Sequence, residues 1–363
     1  MVSFLSAAEF WILIFITATG NVHAQCPEIE FSNCTCSTSE TSNRADKFSV
    51  PLSTRVVIRC TSVFSVEALT KLMRNLRGKK IDAVHIMDSP IGPAIPANIF
   101  TAIPLTEVTL SNVNISSLSS SGSTPFLGLE RSLKSLALRH CSMSYDVSLE
   151  KLTSLSQIEQ IDLSFNSLQF VKSRWFSVPP VKLKSLILKG NHIEALEDHA
   201  LRNARELIHL DLSENRIQGL RRTMLPDSIE ILHLENNRLA YLEDNIFSSM
   251  LNLRRLYLSN NRLQTMNHNT FSPIWFKIQP ALEQVDLRGN PIYCDCQLSW
   301  LSDTIVLWRN SRTLLGHCSA PERFIGDSLR SLDCFKLRCE GSNCTQLYPI
   351  EPDDFLGSPG TVE

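Results

Sequence analysis

From residue 81 onward one pattern, L-x-x-L-x-L-x-x-N/C-x-L with other apolar residues allowed at the leucines, returns nine times. It starts at Ile81, Leu105, Leu133, Ile158, Leu183, Leu207, Ile229, Leu253 and Leu282, so successive turns span 24, 28, 25, 25, 24, 22, 24 and 29 residues. No other feature constrains the fold as strongly. A unit of this size cannot bury its own leucines, but stacked units share one continuous core. Each x-x-L-x-L-x-x stretch reads as a short strand with two leucines inward and alternate residues in solvent. Nine such strands at about 4.8 Å spacing give a parallel concave sheet roughly 40 Å along its arc. The expected fold is an α/β solenoid, a horseshoe closed at both ends by disulfides.

The residue after each strand should satisfy backbone groups of the neighbouring turn through a side-chain amide. Asn166, Asn191, Asn215, Asn237, Asn261 and Asn290 stand there as a ladder, with Ser89, Val113 and Cys141 in the earlier turns. Cys141 is far from every other cysteine, and His140 beside it suggests a nucleophile pair. Its place in the repeat instead predicts a buried, inert ladder thiol. The Ser-rich insertion from Ser116 to Glu130 reads as a loop on the convex side or rim.

Residues 1–24 read as a secretory signal peptide, with an apolar core from Phe10 to Ile16 and a small-residue cleavage site at Val22-His23-Ala24. No later run approaches the ~18 apolar residues of a membrane span, and the acidic C-terminus has no lipid-anchor signal. The expectation is a secreted, extracellular glycoprotein with sequons at Asn33, Asn114 and Asn343. That places the cysteines where disulfides persist. Cys26, Cys34, Cys36 and Cys60 fall in an N-terminal cap over 25–80, and the nine turns cover 81–293. Cys294, Cys296, Cys318 and Cys334 fall in a C-terminal cap over 294–335, where Gln297 to Arg309 reads as a helix with Leu298, Leu301, Ile305 and Trp308 on one face. Val56 to Cys60 reads as the first edge strand. Residues 336–363 form a tail, with Cys339 and Cys344 close enough to pair. Four cysteines allow three pairings and spacing does not choose among them. A C-x-C pair can also hold zinc, but the oxidising compartment argues against a metal at either end.

This organisation resembles extracellular leucine-rich-repeat proteins with cysteine caps, and NPIYCDCQLSWL from Asn290 carries much of the likeness. The resemblance implies first-to-third and second-to-fourth cap pairing: Cys26–Cys36, Cys34–Cys60, Cys294–Cys318 and Cys296–Cys334. The gap of 23 residues before Cys60 is longer than a compact cap of that family has. CPEIEFSNCTC, VVIRCTSVFSVEALTKL and the loose early turns also resemble secreted arthropod proteins similar to the non-catalytic subunit of a shrimp luciferase. Ser65-Val66-Glu67-Ala68-Leu69, read as a helix start, carries that narrower likeness.

With 35 basic and 37 acidic residues the chain is near neutral and has no Lys/Arg run, which argues against nucleic acid or an anionic membrane as main partner. The strand register puts His85, Thr109, Ala137, Asp162, Ile187, Asp211, His233, Tyr257 and Asp286 in one solvent-facing column. Within it Asp211, His233 and Tyr257 are neighbours, with Ile187, Ile231 and Arg255 close by. Apolar, aromatic and Arg groups on a rigid exposed sheet have the composition of a protein-binding hot spot. Asp211 beside His233 is also half of a hydrolase triad, but no serine neighbours it in the column and no G-x-S-x-G, P-loop or H-E-x-x-H motif is present. The reading is a binding module with no enzyme activity, cofactor or metal, whose partner is another extracellular protein. A constitutive enzyme that it stabilises as an accessory subunit, or an extracellular matrix role, are the alternatives.

Overall fold

The computed structural model describes residues 26–29, 31–41, 53–96, 98–118, 126–144, 147–277, 282–301, 314–332 and 334–339. One sheet of twelve strands organises them. A hairpin, Cys34–Thr41 with Ser53–Thr61, opens the sheet. Ala83–Met87, Glu107–Ser111, Ser135–Arg139, Gln160–Asp162 and Ser185–Ile187 follow. His209–Asp211, Ile231–His233, Arg255–Tyr257, Gln284–Asp286 and Leu314–Leu315 complete it. Spatial order equals chain order, and every pairing after the hairpin is parallel. Val84, Val108, Leu136, Ile161, Leu186, Leu210, Leu232, Leu256 and Val285 lie in one row, each fully buried. The leucine period thus sets both strand register and core.

The strands are short because the chain turns sharply after each. Asp88, Asn112, His140, Phe165, Gly190, Glu214, Asn236, Asn260 and Gly289, each immediately before the ladder residue, have φ between 50 and 72°. At Gly190 the left-handed turn coincides with close packing. A Cβ there would lie 2.4 Å from the Phe165 ring, which itself stacks on His140 at 4.6 Å.

The ladder amides bridge adjacent turns. Asn215 Nδ2 donates to Leu188 O and Leu212 O at 3.0 Å, and its Oδ1 accepts from Ile193 N at 3.0 Å. Asn166, Asn191, Asn237, Asn261 and Asn290 likewise donate to a leucine carbonyl of their own turn and one of the preceding turn. Cys141 holds the same place: its Sγ lies 3.2 Å from Arg139 O and 3.5 Å from Leu110 O. Burial pushes its pKa up to about 11, so the thiol stays protonated and unreactive at neutral pH. Ser89 fills the place with a hydroxyl that accepts from Val63 N and donates to Met87 O.

Four expectations change. The edge strand is Cys34–Thr41, because the long stretch before Cys60 folds back antiparallel and Cys34 is bonded to Cys60 across the hairpin. The end of the Ser-rich insertion is core: Phe126 and Leu129 are fully buried, and Phe126 stacks on Phe100 at 5.8 Å. Cys26–Cys36 and Cys294–Cys318 join as the family resemblance implies, but Cys296 is bonded to Cys339. Neither Cys296–Cys334 nor Cys339–Cys344 therefore forms, and the C-terminal cap reaches beyond residue 335. Finally, a 3-10 turn over Cys296–Leu298 begins the segment read as one helix from Gln297. Leu298 and Leu301 are buried there, whereas Ile305 and Trp308 lie outside the described residues.

The helix start at Ser65 is present. Ser65 Oγ accepts from Ala68 N at 3.1 Å, and the helix Val66–Leu76 buries Leu69, Leu72, Met73 and Leu76 behind the first strands. Asn33 and Asn114 are exposed. Residues 1–24, Asn343 and Cys344 lie outside the described residues.

Candidate functional site on the concave sheet

Cross-strand register places Ile187, Asp211, His233, Tyr257 and Asp286 side by side. The neighbouring outer column holds Ser185, His209, Ile231, Arg255 and Gln284. The His233 ring stacks on Tyr257, centroids 4.4 Å apart and 14° from parallel. The His209 ring meets His233 edge-on at 5.4 Å. Three rings thus form a continuous half-buried surface across three strands, with Ile187 and Ile231 beside it. Sequence reading missed His209, although it shares the outer column with Ile231 and Arg255, two places already singled out.

Asp211 does not orient His233. Its Oδ1 accepts from the backbone N–H of Ser213 at 2.9 Å and from Ser213 Oγ at 2.6 Å. Asp162 and Asp286 accept the backbone N–H two residues ahead in the same way, from Ser164 at 2.9 Å and Arg288 at 3.1 Å. These aspartates brace the turn that leaves the strand. His233 Nδ1 lies 3.0 Å from Glu235 Oε1 instead. The Asp–His half-triad is therefore not assembled. Arg255 is also committed, its Nε 3.2 Å from Glu283 Oε2, a carboxylate that Arg254 shares.

Charges elsewhere on this face neutralise one another. Arg139 pairs with Asp162 at 2.6 Å, Lys189 with Glu214 at 3.0 Å and Arg288 with Asp286 at 2.6 Å. What stands out from this balanced surface is the apolar and aromatic cluster. Burial, then the neighbouring His233 and Arg255, lower the pKa of His209 against the opposing pull of Asp211. Its imidazole is neutral at physiological pH.

At the N-terminal end of the same face, Glu107 accepts from His85 Nε2 at 2.6 Å and pairs with Arg55. The His85 hydrogen bond, helped by Arg55 and opposed by burial, lowers the Glu107 pKa from 4.5 to about 2. A depressed carboxyl pKa contributes stability above the unfolded value and loses it as pH falls through the folded one. Each unit is about 1.4 kcal/mol, and screening of the partly exposed Arg55 leaves roughly 2 kcal/mol in all. We expect wild type to lose about that much more stability than Glu107→Gln as pH falls from 4.5 to 2, measured by denaturant unfolding. Parallel curves for the two proteins would refute it.

Two clefts lie off the concave face. One of about 530 Å³ is lined by Arg202, Arg205, Asp227 and Leu251 among others, and one of about 480 Å³ lies between Phe170 and Tyr241. Among the described residues no cluster of His, Cys, Asp and Glu could hold a metal ion.

Known proteins agree with this architecture. The leucine-rich repeat family model matches residues 181–226 and 227–292. The chain is 27% identical to Toll-like receptor 7 of Drosophila melanogaster over half of its own length but only 12% of the receptor's. It is 27% identical to Tsukushi of Gallus gallus over 74% of this chain and 78% of Tsukushi. With Nephrocan of Mus musculus it shares 26% identity over 51% of this chain and 35% of Nephrocan. None of these three is a luciferase subunit, and the narrower resemblance gains no support from them. Repeat period, parallel sheet and disulfide-linked ends make this chain a leucine-rich-repeat solenoid.

Proposed function

We propose that this protein is a non-enzymatic binding module that engages another extracellular protein through its concave sheet. His233 and Tyr257 stand at the centre of the contact, with His209, Ile187 and Ile231 around them. Asp211 and Arg255 hold the local shape. The observation that carries this reading is the stacked ring cluster, half-exposed on a face where Arg139, Lys189 and Arg288 are each paired with a carboxylate. Rigid aromatic groups give large contact area at low entropic cost, and such residues dominate interface energetics. Four disulfides support an oxidising compartment. No helix among the described residues is long and apolar enough to cross a membrane.

The test begins with the native mass of the protein in its own extracellular fluid, by light scattering, followed by purification of any companion chain. Tyr257→Ala is expected to weaken that companion's binding about 30-fold, a loss of about 2 kcal/mol, with thermal unfolding little changed. Because the surrounding charges are already paired, binding should depend only weakly on salt. A companion that binds Tyr257→Ala and His233→Ala as tightly as wild type would place the contact elsewhere.

A further inference from the structure

Arg216, Arg238 and Arg262 each follow a ladder asparagine, in the repeated triplets Asn-Arg-Ile, Asn-Arg-Leu and Asn-Arg-Leu. In sequence they stand 22 and 24 residues apart and form no basic run. The solenoid brings them together. Arg216 N donates to Ile193 O at 2.8 Å, Arg238 N to Ile217 O at 2.9 Å and Arg262 N to Leu239 O at 2.9 Å. Each arginine therefore sits one turn beyond the last, with backbones about 5 Å apart. Arg238 and Arg262 are exposed and Arg216 is half-buried. Among the described residues, no carboxylate pairs with any of the three guanidiniums and no side-chain hydrogen bond holds them.

The fold does not demand arginine here. Ser142, Ser167, His192 and Pro291 occupy the same place in other turns. Like charges side by side on adjacent turns are destabilising, and elsewhere on the solenoid such charges are neutralised by neighbours. The flanking places do not supply a counter-charge either. Gln218, Ala240 and Gln264 lie two residues beyond the arginines and Asn236 and Asn260 two residues before, while Glu214 is committed to Lys189. One turn further on, Tyr293 is 48% exposed at the place equivalent to Gln264, which adds an aromatic surface to the end of the row.

We propose that this row is a docking surface for a sulfated polysaccharide, lying along the solenoid axis on the side where the strands end. Three forked guanidiniums at short regular spacing match a linear chain of sulfate groups, each of which offers several acceptor oxygens. Exposed Tyr293 provides an apolar face for a sugar ring. This surface is separate from the concave ring cluster, so the two binding functions are independent.

The test uses the full protein and a heparin octasaccharide, by isothermal calorimetry from low to physiological salt. Wild type should bind, with log Kd rising against log salt at a slope of about two, as expected for three neutralised charges. The triple variant Arg216→Gln, Arg238→Gln, Arg262→Gln should lose at least tenfold in affinity while its thermal midpoint stays level or rises. Should the triple variant fold poorly, Arg238→Gln alone should lose several-fold. His233→Ala and Tyr257→Ala should bind the octasaccharide like wild type, which separates this surface from the concave site. Equal affinity of wild type and the arginine variants would overturn the proposal. So would equal binding of a fully desulfated octasaccharide, or tighter binding of a single-stranded oligonucleotide than of heparin.

Discussion

Asn215→Ala is expected to destabilise the protein by about 3 kcal/mol in denaturant unfolding. The side chain satisfies Leu188 O, Leu212 O and Ile193 N at once, all inside the solenoid. Alanine leaves Ile193 N unpaired, at about 1–3 kcal/mol, and takes one of two amide donors from Leu188 O and Leu212 O, which keep Asn191 and Asn237. Asn215→Cys should fall between, because a thiol still donates to a carbonyl. At Cys141 the chain already copes with that exchange: Ile115 N, the counterpart of Ile193 N, bonds to the main-chain carbonyl Cys141 O at 3.0 Å. Amide hydrogen exchange at Ile193 reports the same event locally, and it should quicken in the alanine variant. A loss below 1 kcal/mol would mean that water reaches the ladder and the amides add little.

Removing the Cys296–Cys339 bond should be the costliest single change at the C-terminal end. The bond closes a loop over a sequence separation of 43 residues. Chain entropy assigns such a loop about 4 kcal/mol, within the roughly 2–5 kcal/mol that removing a native disulfide typically costs. Cys296→Ser with Cys339→Ser should therefore lower stability by that order. The cap should then expose Trp300, which is nearly buried and donates from Nε1 to Met266 O at 3.2 Å. Trp fluorescence follows this directly. Peptide mapping under non-reducing conditions decides the pairing itself: a peptide linking Cys296 to Cys334 would contradict the bond described here.

The nine-fold period was sufficient to derive the solenoid, the inward leucines, the ladder and the column from His85 to Asp286. These are local, repeated relations, and in a solenoid each turn contacts only its neighbours, so register propagates from spacing alone. Cys141 could be placed as a ladder thiol for the same reason. The sequence could not decide which of Cys334 and Cys339 takes Cys296, because both are near in the chain and only the folded cap brings one sulfur to bonding distance. Nor could it show that Asp211 turns to Ser213 rather than to His233, since both are within reach and side-chain direction is settled by the turn that needs bracing. His209 and the row of Arg216, Arg238 and Arg262 belong to the same class. Each residue is unremarkable in its own stretch of chain, and becomes a surface only when turns of 22 to 25 residues stack and place distant side chains about 5 Å apart.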